Sequence, residues 1–331
     1  MNNRTRRIVI GLLVGLAVFV FVPLLSGNAI TLYTDWLWFD RIGHLDVLRT
    51  RILARILLWV IAAAVVGGFL GVNWFLLPRR LFGQFRLQFG DGGRGSFTVG
   101  ARLLRILLGV IAALVTLTLA SSAAASWMTV LRFQNQTTFG LSDPIFGFDA
   151  GFFVFRLPFY RAALGWVMGL VVVTLIGNAL VYVFSGRIRR AQAIGHLSVL
   201  AALSLLGTAA NYQLQRWALL QSSAGAVYGA GYTDVNARMP LFVLMTAVVG
   251  VGGLLLLVNI YIRRWKLLLF VGIAWLALTL IGQFYPAAVQ RFTVEPNELA
   301  LERQYIENNI ALTRFAYGLD AIEESDYQVT G

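Results

Sequence analysis

Cysteine is absent from the chain, which removes disulfides and thiolate metal sites together. Histidine occurs only twice, as His44 and His196, and their spacing supplies no second ligand for a metal. Charge is scarce: Asp, Glu, Lys and Arg make up 13% of the 331 residues, about half their share in a soluble domain. Scarcest of all is an acid inside an apolar run, because all 15 Asp and Glu residues fall between such runs or in the tail. Pumps and ion-coupled transporters commonly bury a carboxylate at mid-membrane, where a cost of about 2.5–3.5 kcal/mol is tolerated for function. That signature is missing.

What the chain has in excess is apolar surface, with 58% hydrophobic residues gathered into blocks. A bilayer core needs about 20 consecutive apolar residues as helix. Seven blocks meet that requirement, at 8–25, 52–77, 103–131, 161–184, 196–220, 240–262 and 266–288. They are continuously apolar and do not alternate, which argues against an outer-membrane barrel. The expected fold is therefore an all-α integral membrane protein: a seven-helix transmembrane bundle over 1–288 with interfacial helices, followed by an acidic extracytoplasmic tail over 289–331. The basic start, Met1 to Arg7, followed by Ile8 to Leu25, reads as an uncleaved signal anchor.

The net charge of +12 is explained by where it sits, with no need of nucleic acid. Segments 1–7, 78–102, 185–195 and 263–265 hold 13 Lys and Arg in 46 residues, whereas 26–51, 132–160, 221–239 and 289–331 hold 9 in 117. The positive-inside rule places the first set in the cytoplasm, so the N-terminus is expected inside and the C-terminus outside. Arg55, Arg105, Arg161, Arg216 and Lys266 lie near span ends, where long side chains reach the headgroups.

Within the loops, Trp36-Leu37-Trp38-Phe39 among acids reads as an interfacial helix. Gly90-Asp91-Gly92-Gly93-Arg94-Gly95 matches the dinucleotide fingerprint in letters, but that fingerprint needs a strand before it and a helix packed on a sheet after it. A flexible cytoplasmic loop is expected instead. Asn135-Gln136-Thr137 fits the glycosylation sequon as a coincidence of spacing. Glycines four apart, at Gly11 and Gly15, Gly67 and Gly71, and Gly165 and Gly169, suggest close helix packing. Thr174, Asn178, Asn211, Tyr212, Gln213 and Gln215 are the polar residues within spans, read first as interhelical hydrogen bonders.

From Val289 the tail carries eight acids against Arg291, Arg303 and Arg314. Pro296 suits a helix start with Glu298 in its first turn, and Gly318 suits its stop. Leu299, Ile306, Ile310 and Tyr317 form an apolar stripe on that helix, which wants a partner surface.

The run Asp143-Pro144-Ile145-Phe146-Gly147-Phe148-Asp149 through Phe152-Phe153-Val154-Phe155-Arg156-Leu157-Pro158-Phe159 resembles the signature of uncharacterised protein family 0182. So do Pro296-Asn297-Glu298-Leu299, Tyr305-Ile306, Asn309-Ile310 and Ala316-Tyr317-Gly318-Leu319-Asp320, and the Trp36 to Phe39 stretch. The resemblance implies seven N-terminal spans and a bacterial cell membrane, and no activity. Members of that family usually continue into a large extracytoplasmic region, so the chain resembles a truncated or split N-terminal part.

The leading functional expectation is a membrane anchor or scaffold for an extracytoplasmic domain or subunit, docked on Leu299, Ile306 and Ile310. A transporter or channel component, with a path along Asn178, Asn211 and Gln213, is the alternative. An enzyme with an outer-face site at Asp143, Asp149 and Arg156 is a third reading, against which both aspartates suit turn and loop capping. No catalytic motif, cofactor or metal site is expected, and the lipid bilayer is the expected surrounding.

Overall fold

A computed structural model describes residues 29–76, 85–89, 95–99, 101–184, 190–223, 225 and 227–322. Six of its helical stretches are long and apolar enough to cross a membrane. After a first helix, α1 (29–41), they are α2 (Leu45–Leu70, prolonged by a π turn at Gly71–Leu76), α3 (Ala101–Ala125), α5 (Leu157–Phe184), α6 (Ala191–Ala218), α7 (Met239–Ile262) and α8 (Trp265–Val289). The expected span at 8–25 lies outside the described residues. Side chains such as Leu53, Leu57, Leu114, Phe270, Ile273 and Phe284 are exposed along these helices. Apolar surface on that scale is what hydrocarbon, not water, solvates.

Two boundaries differ from expectation. The helix expected from 52 begins at Leu45, because helical backbone continues past the apolar run, with Asp46 in its first turn. The span expected over 103–131 is two helices, α3 and α4 (Trp127–Gln134), broken at Ser126, whose ψ of 12° leaves the helical range. Ser126 Oγ donates back to the carbonyl of Ser122 at that break.

α6 is the most enclosed span, with 50% of its apolar window buried against 11–28% for the others. It packs between α5 and α7, and Ala202, Leu205 and Ala209 meet Val249 and Leu256 of α7 and Val271 of α8. A second core joins Val66, Leu70 and Trp74 to Leu108, Leu170 and Leu197. The closest approaches fall on glycines other than the expected pairs. A Cβ on Gly177 would stand 2.5 Å from the Trp74 ring, and one on Gly253 would stand 2.9 Å from Leu206. By contrast, a Cβ on Gly67, Gly71 or Gly165 would meet nothing within 4 Å, and one on Gly169 only Leu119 at 3.8 Å. Gly11 and Gly15 lie outside the described residues.

Between α2 and α3, β1 (Phe85–Phe89) pairs antiparallel with β2 (Gly95–Val99), Phe85 opposite Val99 and Phe89 opposite Gly95. These paired strands occupy part of the segment expected as a flexible loop and add a small sheet to the otherwise helical described residues. Gly95 opens a strand and not a helix, so the local fold denies the dinucleotide reading its second element. Residues 90–94 themselves lie outside the described set.

Beyond α8 the chain stays helical through a π turn (Gln290–Val294) and a 3₁₀ turn (Glu295–Asn297) into α9 (Glu298–Ala316). Gly318 follows at φ +67°, the left-handed stop that glycine adopts without steric cost. At the other end of α8, buried Asn259 closes the α7–α8 turn: its Nδ2 donates to Ser198 Oγ and to the Arg264 carbonyl.

Candidate functional site

Polar groups concentrate at the two ends of the bundle. At the end carrying residues 135–156, 219–238 and α9, the segment 139–151 is organised by its two aspartates. Asp143 accepts from the N–H groups of Ile145, Phe146 and Phe148 at 2.7–2.9 Å, around a turn in which Gly147 has φ +70°. Asp149 accepts from Phe139, Gly140 and Gly151 at 2.7–3.1 Å. The N–H groups of Phe139 and then Gly151 hold the Asp149 carboxyl below the ordinary carboxylate range. Both carboxylates are thereby occupied by backbone donors. Arg156 turns elsewhere, its Nε donating to Gln136 Oε1. Among the described residues no group of three or more His, Asp or Glu could hold a metal ion. The aromatic residues of this segment pack on α6, where Trp217 meets Phe148 and Phe152 edge to face and Arg216 lies 5.4 Å from the Phe146 ring centroid.

α9 lies against the 228–236 segment through a polar face. Glu302 is 2% exposed and accepts from the Tyr232 N–H with both oxygens, at 3.0 and 3.1 Å. Two turns on, Asn309 Nδ2 donates to the Tyr228 carbonyl at 2.6 Å, and Asn236 Nδ2 donates to Tyr305 Oη. Of the expected apolar stripe, Ile306 is half-buried beside these groups, while Leu299 is 80% exposed and Ile310 and Tyr317 are exposed. Ile310 and Phe315 face an open groove of about 560 Å³ whose far wall is Leu141. Asp35 pairs with Arg51 at 2.8 Å and ties α1 to α2.

At the opposite end, His196 Nε2 stands 2.9 Å from Asn73 Oδ1, and His196 Nδ1 stands 2.6 Å from Tyr182 Oη. Asn73 Nδ2 already donates to the Phe69 carbonyl, which leaves Oδ1 as the acceptor toward the ring. The imidazole proton therefore sits on Nε2, and Nδ1 accepts from the tyrosine. The sequence offered His196 no second ligand by spacing and did not join it to Asn73, 123 positions away. The available signal was a histidine and a tyrosine at facing ends of two consecutive apolar runs. Nearby, Asn178 is 1% exposed; its Nδ2 donates to the Thr174 carbonyl, and Oδ1 has no partner among the described residues.

Three cavities adjoin at the loop-rich end. One of about 620 Å³ runs between α2, α3, α4 and α5. A second, about 470 Å³, shares Arg161 and Ala162 with it and is lined by Asn211 and Gln221. A third, about 600 Å³, lies between α6, α7 and α8, with Asn211, Tyr212, Gln215, Arg238, Thr279 and Gln283 on its walls. Asn211 thus links two cavities, whereas Asn178 and Gln213 line none of the three.

Six membrane-length helices with an exposed aliphatic exterior define a multi-pass α-helical membrane protein. The family model described as Uncharacterised protein family (UPF0182) matches residues 11–331, and the chain belongs to that family. It is 34% identical over 323 residues to a UPF0182 protein of Pelotomaculum thermopropionicum, covering 92% of this chain and 35% of that protein. A UPF0182 protein of Thermobifida fusca is 35% identical over 326 residues, covering 95% of this chain and 32% of that relative. One from Geobacter sulfurreducens is 36% identical over 338 residues, with 96% and 37% covered. The chain spans about a third of the length of these curated relatives. No solved structure matches it.

Proposed function

We propose that the chain is the membrane-embedded anchor of a bacterial cell-membrane protein and holds an extracytoplasmic region against its loop-rich end. The observation that carries this reading is the seating of α9. Its polar face is fastened to the bundle by Glu302 and Asn309, while Leu299 is left exposed and Ile310 and Phe315 are exposed on the groove shared with Leu141. A helix held so firmly on one side and apolar on the other is suited to carry a docked region. The occupant is the part of the longer relatives that lies outside the matched third. The distribution of basic residues supports a cytoplasmic N-terminus with α9 outside, and the exposed Trp36 and Trp38 of α1 suit the headgroup layer.

The test is to co-express this chain with the unmatched part of the Thermobifida fusca relative as a separate polypeptide. Co-purification is expected, with loss on the double substitution Ile310→Asp and Phe315→Asp while the bundle keeps its thermal transition. Equal recovery with the substituted chain, or none with the unaltered one, overturns the anchor reading. The sidedness has its own test: on intact cells an impermeant thiol reagent is expected to label Ser223→Cys and not Ser96→Cys.

A transporter or channel component is the second reading, favoured by the polar cavity at Asn211, Tyr212 and Gln283. Solute flux into liposomes separates it from the first. The enzyme reading draws no support from Asp143 and Asp149, whose oxygens are already engaged by backbone N–H groups.

A further inference from the structure

Arg161 stands one turn into α5, at the depth where that helix enters the membrane from the loop-rich end. It is exposed, and it forms no ion pair or hydrogen bond with any described residue. Arg51, Arg238 and Arg216 at this end are engaged, by Asp35, by Asp234 and against Phe146 respectively; what sets Arg161 apart is that it lines two cavities. An arginine at this depth needs an anion or water, since an unpaired guanidinium facing hydrocarbon is costly.

The surroundings of Arg161 define what the anion is attached to. On one side opens the 620 Å³ cavity, whose deeper wall is Leu58, Val65, Leu119 and Val167. Its volume lies within the range of about 300–1,000 Å³ typical of ligand pockets. Small residues keep it open, among them Ala62, Ala123 and Gly165, and a Cβ on Gly165 would meet nothing within 4 Å. Thr129, also on its wall, has a hydroxyl with no partner among the described residues. By contrast, Thr116, Thr118, Thr174, Thr208, Thr246 and Thr279 each donate to the carbonyl four residues back. On the other side of Arg161 the second cavity offers the amide of Asn211, with Gln221, whose Nε2 donates to the Phe153 carbonyl, beside it. No carboxylate lines either cavity.

We infer that this cavity pair is a binding site for an anionic phospholipid, with the phosphate on Arg161 and Thr129 and an acyl chain in the groove toward Val65 and Leu119. Charge complementarity selects the headgroup and the apolar wall selects the tail. A zwitterionic lipid brings its own ammonium to a mouth that already has a cation and no acid. A guanidinium and a hydroxyl lining one cavity suit phosphate oxygens, through charge-assisted hydrogen bonds about twice as strong as neutral ones.

Native mass spectrometry of the full chain, released from nanodiscs of mixed phosphatidylglycerol and phosphatidylcholine, tests this. One phosphatidylglycerol is expected to stay bound to the unaltered protein in preference to phosphatidylcholine. Arg161→Gln is expected to lower that preference about tenfold and Arg161→Lys to restore most of it. Gly165→Leu, which fills the groove where the fold has space, is expected to lower retention of both lipids with an unchanged unfolding midpoint. Inorganic phosphate at millimolar concentration is expected not to displace the lipid. The inference is overturned if phosphatidylcholine is held equally well, if Gly165→Leu leaves retention unchanged, or if inorganic phosphate competes, which would make this a bare anion site. It is equally overturned if the retained mass is a second copy of the chain.

Discussion

Replacing Glu302 by Ala removes the carboxylate that accepts from the Tyr232 N–H at 3.0 and 3.1 Å, in a site where the residue is 2% exposed. A hydrogen bond to a charged group contributes about 1.5–3 kcal/mol, and a buried donor left without a partner costs about 1–3 kcal/mol. The Tyr232 N–H is part-buried, so water recovers some of that loss, and about 2 kcal/mol is a fair figure for the weakening of α9 docking. That corresponds to a rise of about 30-fold in the equilibrium for local detachment. Asn309 holds its own bond to the Tyr228 carbonyl, so detachment is made more frequent without becoming complete. Hydrogen exchange at the Tyr232 amide in nanodiscs reads the effect directly, because this N–H is protected only while Glu302 is seated. Glu302→Gln keeps one acceptor oxygen without the charge and is expected to show a smaller increase. Exchange at Tyr232 that stays within about threefold of the unaltered protein in Glu302→Ala would refute the claim that this contact fastens α9.

Three further outcomes are expected. Gly177→Ala drives a Cβ to 2.5 Å from the Trp74 ring and should destabilise the bundle by about 1–3 kcal/mol, whereas Gly67→Ala should not; thermal unfolding in detergent compares them. His196→Phe leaves Asn73 Oδ1 without its donor and should cost about 1–3 kcal/mol in the same assay, with His196→Gln recovering part of it. For Asp149 the folded pKa lies below the unfolded one, so its contribution is present above the ordinary carboxylate range and is lost as pH falls through the depressed value. Hydrogen exchange of Phe139, Gly140 and Gly151 should rise at the acid end of a pH series, and in Asp149→Asn it should be high throughout.

The six described spans were legible because a membrane helix is written locally, as about 20 apolar residues in a row. The break at Ser126 was not, since Ser121, Ser122 and Ser126 are all tolerated inside an apolar helix. The hairpin was hidden among glycines and arginines, although Phe85-Arg86-Leu87-Gln88-Phe89 alternates with the period of a strand. In the tail the stop at Gly318 was readable from one residue's conformational freedom. Which face of α9 turns inward was not. Leu299 and Ile310 read as a stripe wanting a partner surface, but nothing local said that Glu302 and Asn309 would face the bundle, because their partners are backbone groups of Tyr232 and Tyr228, 70 and 81 residues away. Periodicity names a face, and only the neighbour decides whether apolar or polar wins it.

The packing of α6 bears on the choice between an anchor and a conduit. Along α6 the polar residues form two zones: Ser198, bonded to Asn259, with His196 at one end, and Thr208, Asn211, Tyr212 and Gln215 at the other. Ten positions separate Ser198 from Thr208, which at about 1.5 Å per residue is about 15 Å of helix. Ala202 and Leu205 fill that interval and are buried against Val249, Leu256 and Val271. The one hydroxyl between, Ser204, is turned back onto the Leu200 carbonyl. Water or an ion crossing this layer would surrender its hydrogen bonds without replacement, at several kcal/mol for each polar group. Beyond the polar cavity at Asn211 the next pocket, about 190 Å³ among Leu205, Val249, Val271 and Trp275, is apolar, so passage of a polar solute would require α6 and α7 to part along their seam. The expected outcome in liposomes is flux no greater than in protein-free vesicles. Measured flux that rises when Leu205→Ser softens the layer would reverse the preference and make the cavity the mouth of a path.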